Sequence, residues 1–245
     1  MDIKTAIEKI LRGTKREGIE ELIKYLETSD FYTAPASTKF HGSHEGGLAE
    51  HSINVYKCLA AKYENPMWKS LFEKLQIKPE NLAIAAICHD LCKIDFYAID
   101  YKNSKSYEKA DVEEAKKNKQ KTLTDKDGEY VWVKAPYYTV DNKEPLGHGE
   151  KSVFRILKYI KLEDEELYAI RWHMGYTEPK ELWNEVGKSM ELHPLTLALH
   201  EADLEATHIL EVEKKQEIWS CIKFSMLSLA GTLIFVCPIL VHFAE

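Results

Sequence analysis

Apolar positions recur along most of the chain at the three- and four-residue spacing of helices that bury one face. Residues 3–12 and 18–27 (GIEELIKYLE) show it clearly and predict two N-terminal helices, a cap over residues 1–29. The stretch TSDFYTAPASTKFHGSHEGG that follows is rich in small residues, Pro and Gly, which predicts a loop. Helical spacing returns in GLAEHSINVYKCLAAKY through Leu48, Val55 and Leu59, with His51 about one turn after Leu48 on the buried side. A further helix over roughly 80–92 starts just after Pro79 and has a nearly continuous apolar body, which marks it as a core element. Its far end carries His89 and Asp90, polar groups that are costly to bury unless something binds them.

Between residues 95 and 147 the character changes. KTLTDKDGEYVWVKAPYYTVDN holds an Asp-Gly turn flanked by Thr, Val, Tyr and Trp, which predicts a small β-hairpin over about 119–140, inserted as a lid or rim. Helical pattern resumes at 149–161, 163–174 and 193–215, each with acidic or proline start signals. The expected fold is therefore all-α: a helical bundle over 30–216 with one inserted hairpin. Residues 217–245 form a separate hydrophobic segment, in which no charge occurs between Lys223 and Glu245. Roughly 20 such residues are enough to cross a bilayer. This pattern predicts either a membrane anchor over 219–243 or a terminal helix covering an apolar surface; Ser225, Ser228, Gly231, Thr232 and Pro238 dilute the apolarity.

Composition adds limits. With 245 residues and 44% hydrophobic content the chain can bury a substantial core. A formal charge of −7 argues against a surface built mainly to hold long polyanions, though a local basic pocket remains compatible with it. Five cysteines, an odd number widely spaced without an N-terminal apolar signal, predict no disulfide framework and a reducing, cytoplasmic setting, with membrane tethering through the C-terminus as the variant. Cys88 and Cys92 have the spacing of a zinc pair, but no second pair completes a structural site, so both read as core thiols.

The chemistry lies in histidines and acids clustered at the ends of apolar helices: LAEHS, ICHDLCK, GHGE, RWHMG and LHEADLEAT. The ordered set His51, then His89-Asp90, then Asp203 resembles the HD-domain superfamily of metal-dependent phosphohydrolases, over roughly residues 30–210. His148 and His173 fall where two-metal members place additional histidines, and HEGGLAEHS resembles the corresponding segment of a 3′–5′ exoribonuclease subgroup. Cys92 stands where many members carry glycine, while the lysine that follows is retained as Lys93.

The resemblance implies about one or two divalent transition-metal ions (Mn, Fe, Co or Ni) per chain, held by His51, His89, Asp90, His148, His173 and Asp203, with Asp90 as the bridge. Such ions acidify a bound water that attacks phosphorus, and Lys93 would offset charge on a phosphate oxygen. Asp90 and Lys93 are thus the expected catalytic pair. His44, Glu150, Arg171 and Tyr138 are candidates for substrate contact, the last by stacking on a base, with Tyr137 as its neighbour in the same role. His200, one turn before Asp203, is expected to support the ligands; His41, His193, His208 and His242 read as ordinary. The expected substrate is a phosphate-containing small molecule, a nucleotide or oligonucleotide, or a nucleic-acid 3′ end. An HD-type di-iron oxygenase and a non-catalytic metal-binding scaffold are the alternatives.

Overall fold

In the computed structural model, residues 2–212 are described; the apolar segment 219–243 lies outside them. The chain divides into a body, Met1–Glu211, and a second unit, Val212–Glu245. The body is mainly helical. Its helices are α1 (Ile3–Gly13), α2 (Ile19–Thr28), α3 (Gly47–Glu64), α4 (Pro66–Lys74), α5 (Pro79–Cys88), α6 (Lys109–Lys117), α7 (His148–Ile156), α8 (Asp164–Trp172), α9 (Trp183–Leu192) and α10 (Pro194–Glu205). Among the described residues, no helix is long and apolar enough to cross a membrane.

The middle of the bundle is α3, α5, α8 and α10. Helix α3 packs on α5 and α10, α8 packs on α5 and α10, and α7 leans on α8. In α5, Asn81 through Cys88 are all buried, so this helix runs through the interior as its apolar body demands. Helices α1 and α2 belong to the same body: Ile7, Leu11, Leu22 and Leu26 join Leu48, Ile84, Ile87 and Leu199 in one core cluster. Asp2 caps α1 by accepting from Thr5 N–H at 2.9 Å, and Asn65 caps α4 in the same way at Met67, which satisfies amide groups that the first turn leaves without partners.

The insertion holds the expected hairpin and adds a third strand to it. The strands are β1 (Tyr97–Ser106), β2 (Leu123–Asp125) and β3 (Gly128–Val140), an antiparallel sheet ordered β1-β3-β2. The Asp-Gly turn does join β2 to β3, with Asp125 opposite Gly128. Yet the main partner of β3 is β1, in register from Tyr97 opposite Val140 to Ser106 opposite Val131, with α6 between them in the chain. The sequence YAIDYKNSKS carries no alternating apolar pattern because both faces of β1 are largely exposed. One end of the sheet, at Tyr97 and Val140, meets the helical bundle beside the site described next.

Candidate metal centre

Each candidate ligand sits where a helix begins, ends or turns its buried face inward. Helix α3 starts at Gly47, where a Cβ would lie 2.0 Å from the Gly42 carbonyl oxygen; this close backbone approach seats the helix so that His51 is buried. Helix α5 ends at Cys88, His89 takes the C-cap position, and Asp90 leads into a 3₁₀ turn over Leu91–Lys93. Helix α7 holds that turn in place. Arg155 donates to the carbonyls of Leu91 and Ile94 at 2.8 and 2.7 Å, and Ser152 Oγ accepts from Cys92 N–H at 3.0 Å. His148 opens α7, His173 takes the C-cap position of α8, and α10 supplies His200 and Asp203.

These residues converge on the carboxylate of Asp90, which is 3% exposed. His148 Nε2 lies 2.8 Å and His173 Nε2 3.6 Å from Oδ1; His89 Nε2 lies 3.4 Å, His51 Nε2 3.7 Å and Lys93 Nζ 2.6 Å from Oδ2. His51 Nε2 is also 3.1 Å from Asp203 Oδ1. Behind it, His51 Nδ1 meets both carboxylate oxygens of Glu211 at 3.1 Å, and Asn54 donates to the same carboxylate at 3.1 Å.

Two of the histidines are oriented in the same way. His89 Nδ1 lies 2.8 Å from the Ala86 carbonyl and His173 Nδ1 2.7 Å from that of Ile170, each three residues back in its own helix. A carbonyl only accepts, so Nδ1 carries the proton in both rings, and in a neutral ring Nε2 is left with a lone pair. Both Nε2 atoms are buried and have no hydrogen-bond partner. A lone pair aimed at a buried carboxylate is unfavourable unless a cation lies between them. Buried His, Asp and Cys groups here have their donor atoms within 4.8 Å of one another, in the overlapping sets His51-His89-Asp203, His89-Asp90-His173 and Asp90-Cys92-His148, and can hold a metal ion.

The protonation equilibria are those of a crowded charge cluster. Burial alone would raise the Asp90 carboxyl, but the Lys93 ammonium beside it and the hydrogen bond from His148 hold it well below the usual carboxylate range. Burial lowers the His51 imidazolium, but hydrogen bonds to Asp203 and Glu211 outweigh it and push the group up to about 9. His148 is likewise pulled down by burial, then carried to about 9 by Cys92 and Asp90. Asp203 and Glu211 are both lowered: burial opposes this, and His51 outweighs it.

A cavity of about 360 Å³ opens onto the cluster. Asp90, Lys93, His148, His173 and Asp203 line its floor, and His41, Tyr97, Thr177 and His200 line its walls. His200 donates through Nδ1 to the His173 carbonyl at 2.7 Å, so it braces the C-terminal end of α8. A larger pocket of about 530 Å³, around Lys57, Trp68 and Glu205, contains none of the metal-centre residues.

The expected substrate contacts are placed elsewhere. Arg171 is held by Glu150 at 2.5 Å and Glu178 at 2.9 Å, and its guanidinium lies 3.7 Å from the Trp172 ring centroid. His44 is exposed, 3.4 Å from Glu50. Tyr138 pairs with Ile99 in the sheet and meets Tyr97 edge to face, and it is Tyr97 that faces the cavity. His44, Glu150, Arg171 and Tyr138 are not among the residues that line this cavity. His41, read as ordinary, does line it. Glu211 lies eight residues after Asp203, past the end of α10 at Glu205, and the π-helical turn Ala206–Leu210 that returns it to His51 carries no sequence pattern of its own. His41 had none either, because loop residues carry no periodicity.

Compared with family models, with curated proteins and with solved structures, the chain finds no match.

Proposed function

We propose that this chain is a metal-dependent phosphohydrolase of the HD type, cleaving a phosphomonoester or phosphodiester of a nucleotide or oligonucleotide. The observation that carries the reading is the pair of buried, partnerless Nε2 atoms of His89 and His173, both aimed at Asp90 with their tautomer fixed by backbone carbonyls. His51, His89, Asp90 and Asp203 would hold one divalent ion, and His148 and His173 with Asp90 a second; two imidazoles and two carboxylates suit Mn, Fe, Co or Ni. Bound there, a transition metal supplies Lewis acidity and lowers the pKa of water near the substrate.

The chain's own groups do the rest. Lys93 lies at the cavity floor and presents an ammonium where a phosphate oxygen would sit, and its raised pKa, which burial opposes and Asp90 causes, keeps that charge in place. Tyr97, Val140 and Leu204 supply apolar wall for the remainder of a substrate. Among the described residues that line the cavity, Lys93 is the one lysine or arginine, which with the net charge of −7 favours a substrate with few phosphates over a long polyanion.

The test is phosphate release from nucleoside monophosphates, cyclic nucleotides and short oligonucleotides by protein loaded separately with Mn, Fe, Co or Ni. Release should depend on metal and fall to background in Asp90→Asn, which keeps the side chain's size and loses its charge. Protein that takes up no metal, or full turnover by Asp90→Asn, would overturn the reading. An oxidised di-iron spectrum without phosphate release would point to oxygen chemistry instead.

A further inference from the structure

The Asp90 carboxylate divides its neighbours into two groups. Lys93, His89 and His51 lie around Oδ2. Around Oδ1 lie His148 and His173, and with them a third group, the thiol of Cys92: its Sγ is 3.9 Å from Oδ1 and 3.4 Å from His148 Nε2. The thiol is buried and free of any disulfide. It points at the charged cluster, unlike Cys88, which is buried in the apolar core of the bundle.

A second observation bears on the same spot. His173 Nε2 is fully buried, lacks a hydrogen-bond partner and faces Oδ1 at 3.6 Å with its proton held at Nδ1. For a tetrahedral ion with bonds of about 2.3 Å to sulfur and about 2.0–2.2 Å to nitrogen and oxygen, donors stand roughly 3.4–3.6 Å apart. The sulfur lies 3.4 Å from both ring nitrogens of His148, and the donor atoms of Cys92, Asp90 and His148 all lie within 4.8 Å of one another, whereas His173 groups with Asp90 and His89. The sulfur-to-oxygen separation of 3.9 Å exceeds the tetrahedral spacing slightly, and the 2.8 Å between His148 and Asp90 is shorter, the length of a hydrogen bond.

We propose that Cys92 is itself a metal ligand, joining Asp90 and His148 in a three-donor position that takes zinc, cobalt or iron in preference to magnesium or manganese. This rests on the reading that the cluster holds metal, and it names which metals. A thiolate is a soft donor and hard cations bind it poorly. On binding, the thiol proton and the Nε2 proton of His148 pass to solvent. The thiolate then adds a second negative charge beside Asp90, whose own charge already faces the Lys93 ammonium.

Titration of the full chain with cobalt(II) tests this. The expected result is an intense near-ultraviolet thiolate-to-cobalt charge-transfer band in the wild type that disappears in Cys92→Ser, with affinity at one position falling by roughly 10–100-fold or more, since loss of outer partners alone costs that much. Cys92→Ala serves where the serine variant is poorly folded, and circular dichroism of the metal-free proteins reports folding. Cobalt binding without the band, or a band that survives in Cys92→Ser, would overturn the ligand role and leave the metal centre standing. Failure of the wild type to bind cobalt, zinc or iron would overturn both.

Discussion

Lys93 and Asp90 form a buried ion pair at 2.6 Å, and the two residues have different tasks on the proposed reading. Lys93→Ala should therefore keep its metal and lose kcat by about 10²–10³-fold, the scale of one lost electrostatic contact to the transition state. In chelator the same variant leaves Asp90 with the His148 imidazolium as its charged partner, and urea unfolding should register a loss, below the roughly 3–5 kcal/mol of a fully unpaired buried charge, that added metal reverses. A variant with wild-type kcat would remove Lys93 from the chemistry. Protons report on the same cluster. In the metal-free protein His51 and His148 are both pushed up to about 9, so both are charged at neutral pH and must lose a proton to ligate. Metal affinity should rise with pH up to about 9 and then level off, and calorimetry in buffers of different ionisation enthalpy should count at least two protons released per chain at neutral pH. Stability of the metal-free fold runs the other way. A raised imidazole pKa stabilises the folded state fully below the unfolded value of about 6.5, and that contribution is lost as pH rises through about 9.

At the level of elements, the approach of α7 to α8 decides where His148 lies. A Cβ at Gly149 would stand 2.1 Å from the Arg171 backbone oxygen, so only glycine allows the two helix ends to meet this closely. Gly149→Ala should cost about 1–3 kcal/mol by overpacking. It should also weaken metal binding on the His148 side before the His51 side; a melting temperature and a metal stoichiometry equal to wild type would contradict this. The elements readable in advance were those with a strong contrast between faces. Helices α3, α5 and α10 had long apolar stretches, and their histidines and acids lay on or at the end of those stretches, which is why His51, His89, Asp90 and Asp203 could be picked out in order. Helix α6 was not readable because it buries only Val112 and Ala115, and β1 was not because its partner strand is distant in sequence and its faces are mostly exposed. The pairing of polar groups beside the histidines was unreadable for a related reason. Arg171 and Glu150 looked like free polar groups beside the histidines, and nothing in the sequence shows that they bind one another.

On the scale of the whole molecule, the candidate ligands, their supporting Glu211 and the cavity all belong to the body Met1–Glu211, and the apolar stretch to the second unit. A chain ended after Lys215 should therefore keep its metal and its phosphate release while the full chain alone partitions into detergent or vesicles; equal partitioning of the two would remove any membrane role for 219–243. One feature of the body reaches further than the site. His89 and His173 each grip a backbone carbonyl of the helix they terminate, so two ions bridged by Asp90 would be fastened to the ends of α5 and α8 and, through His51 and Asp203, to α3 and α10. Such ions would act as cross-links between distant parts of the folded chain, stabilising it because they bind the folded state and not the unfolded one. Because those cross-links are reversible, the folded lifetime follows the free metal concentration. Resistance to a protease should then rise and fall with metal supply, making persistence of the chain itself a record of the ions available around it.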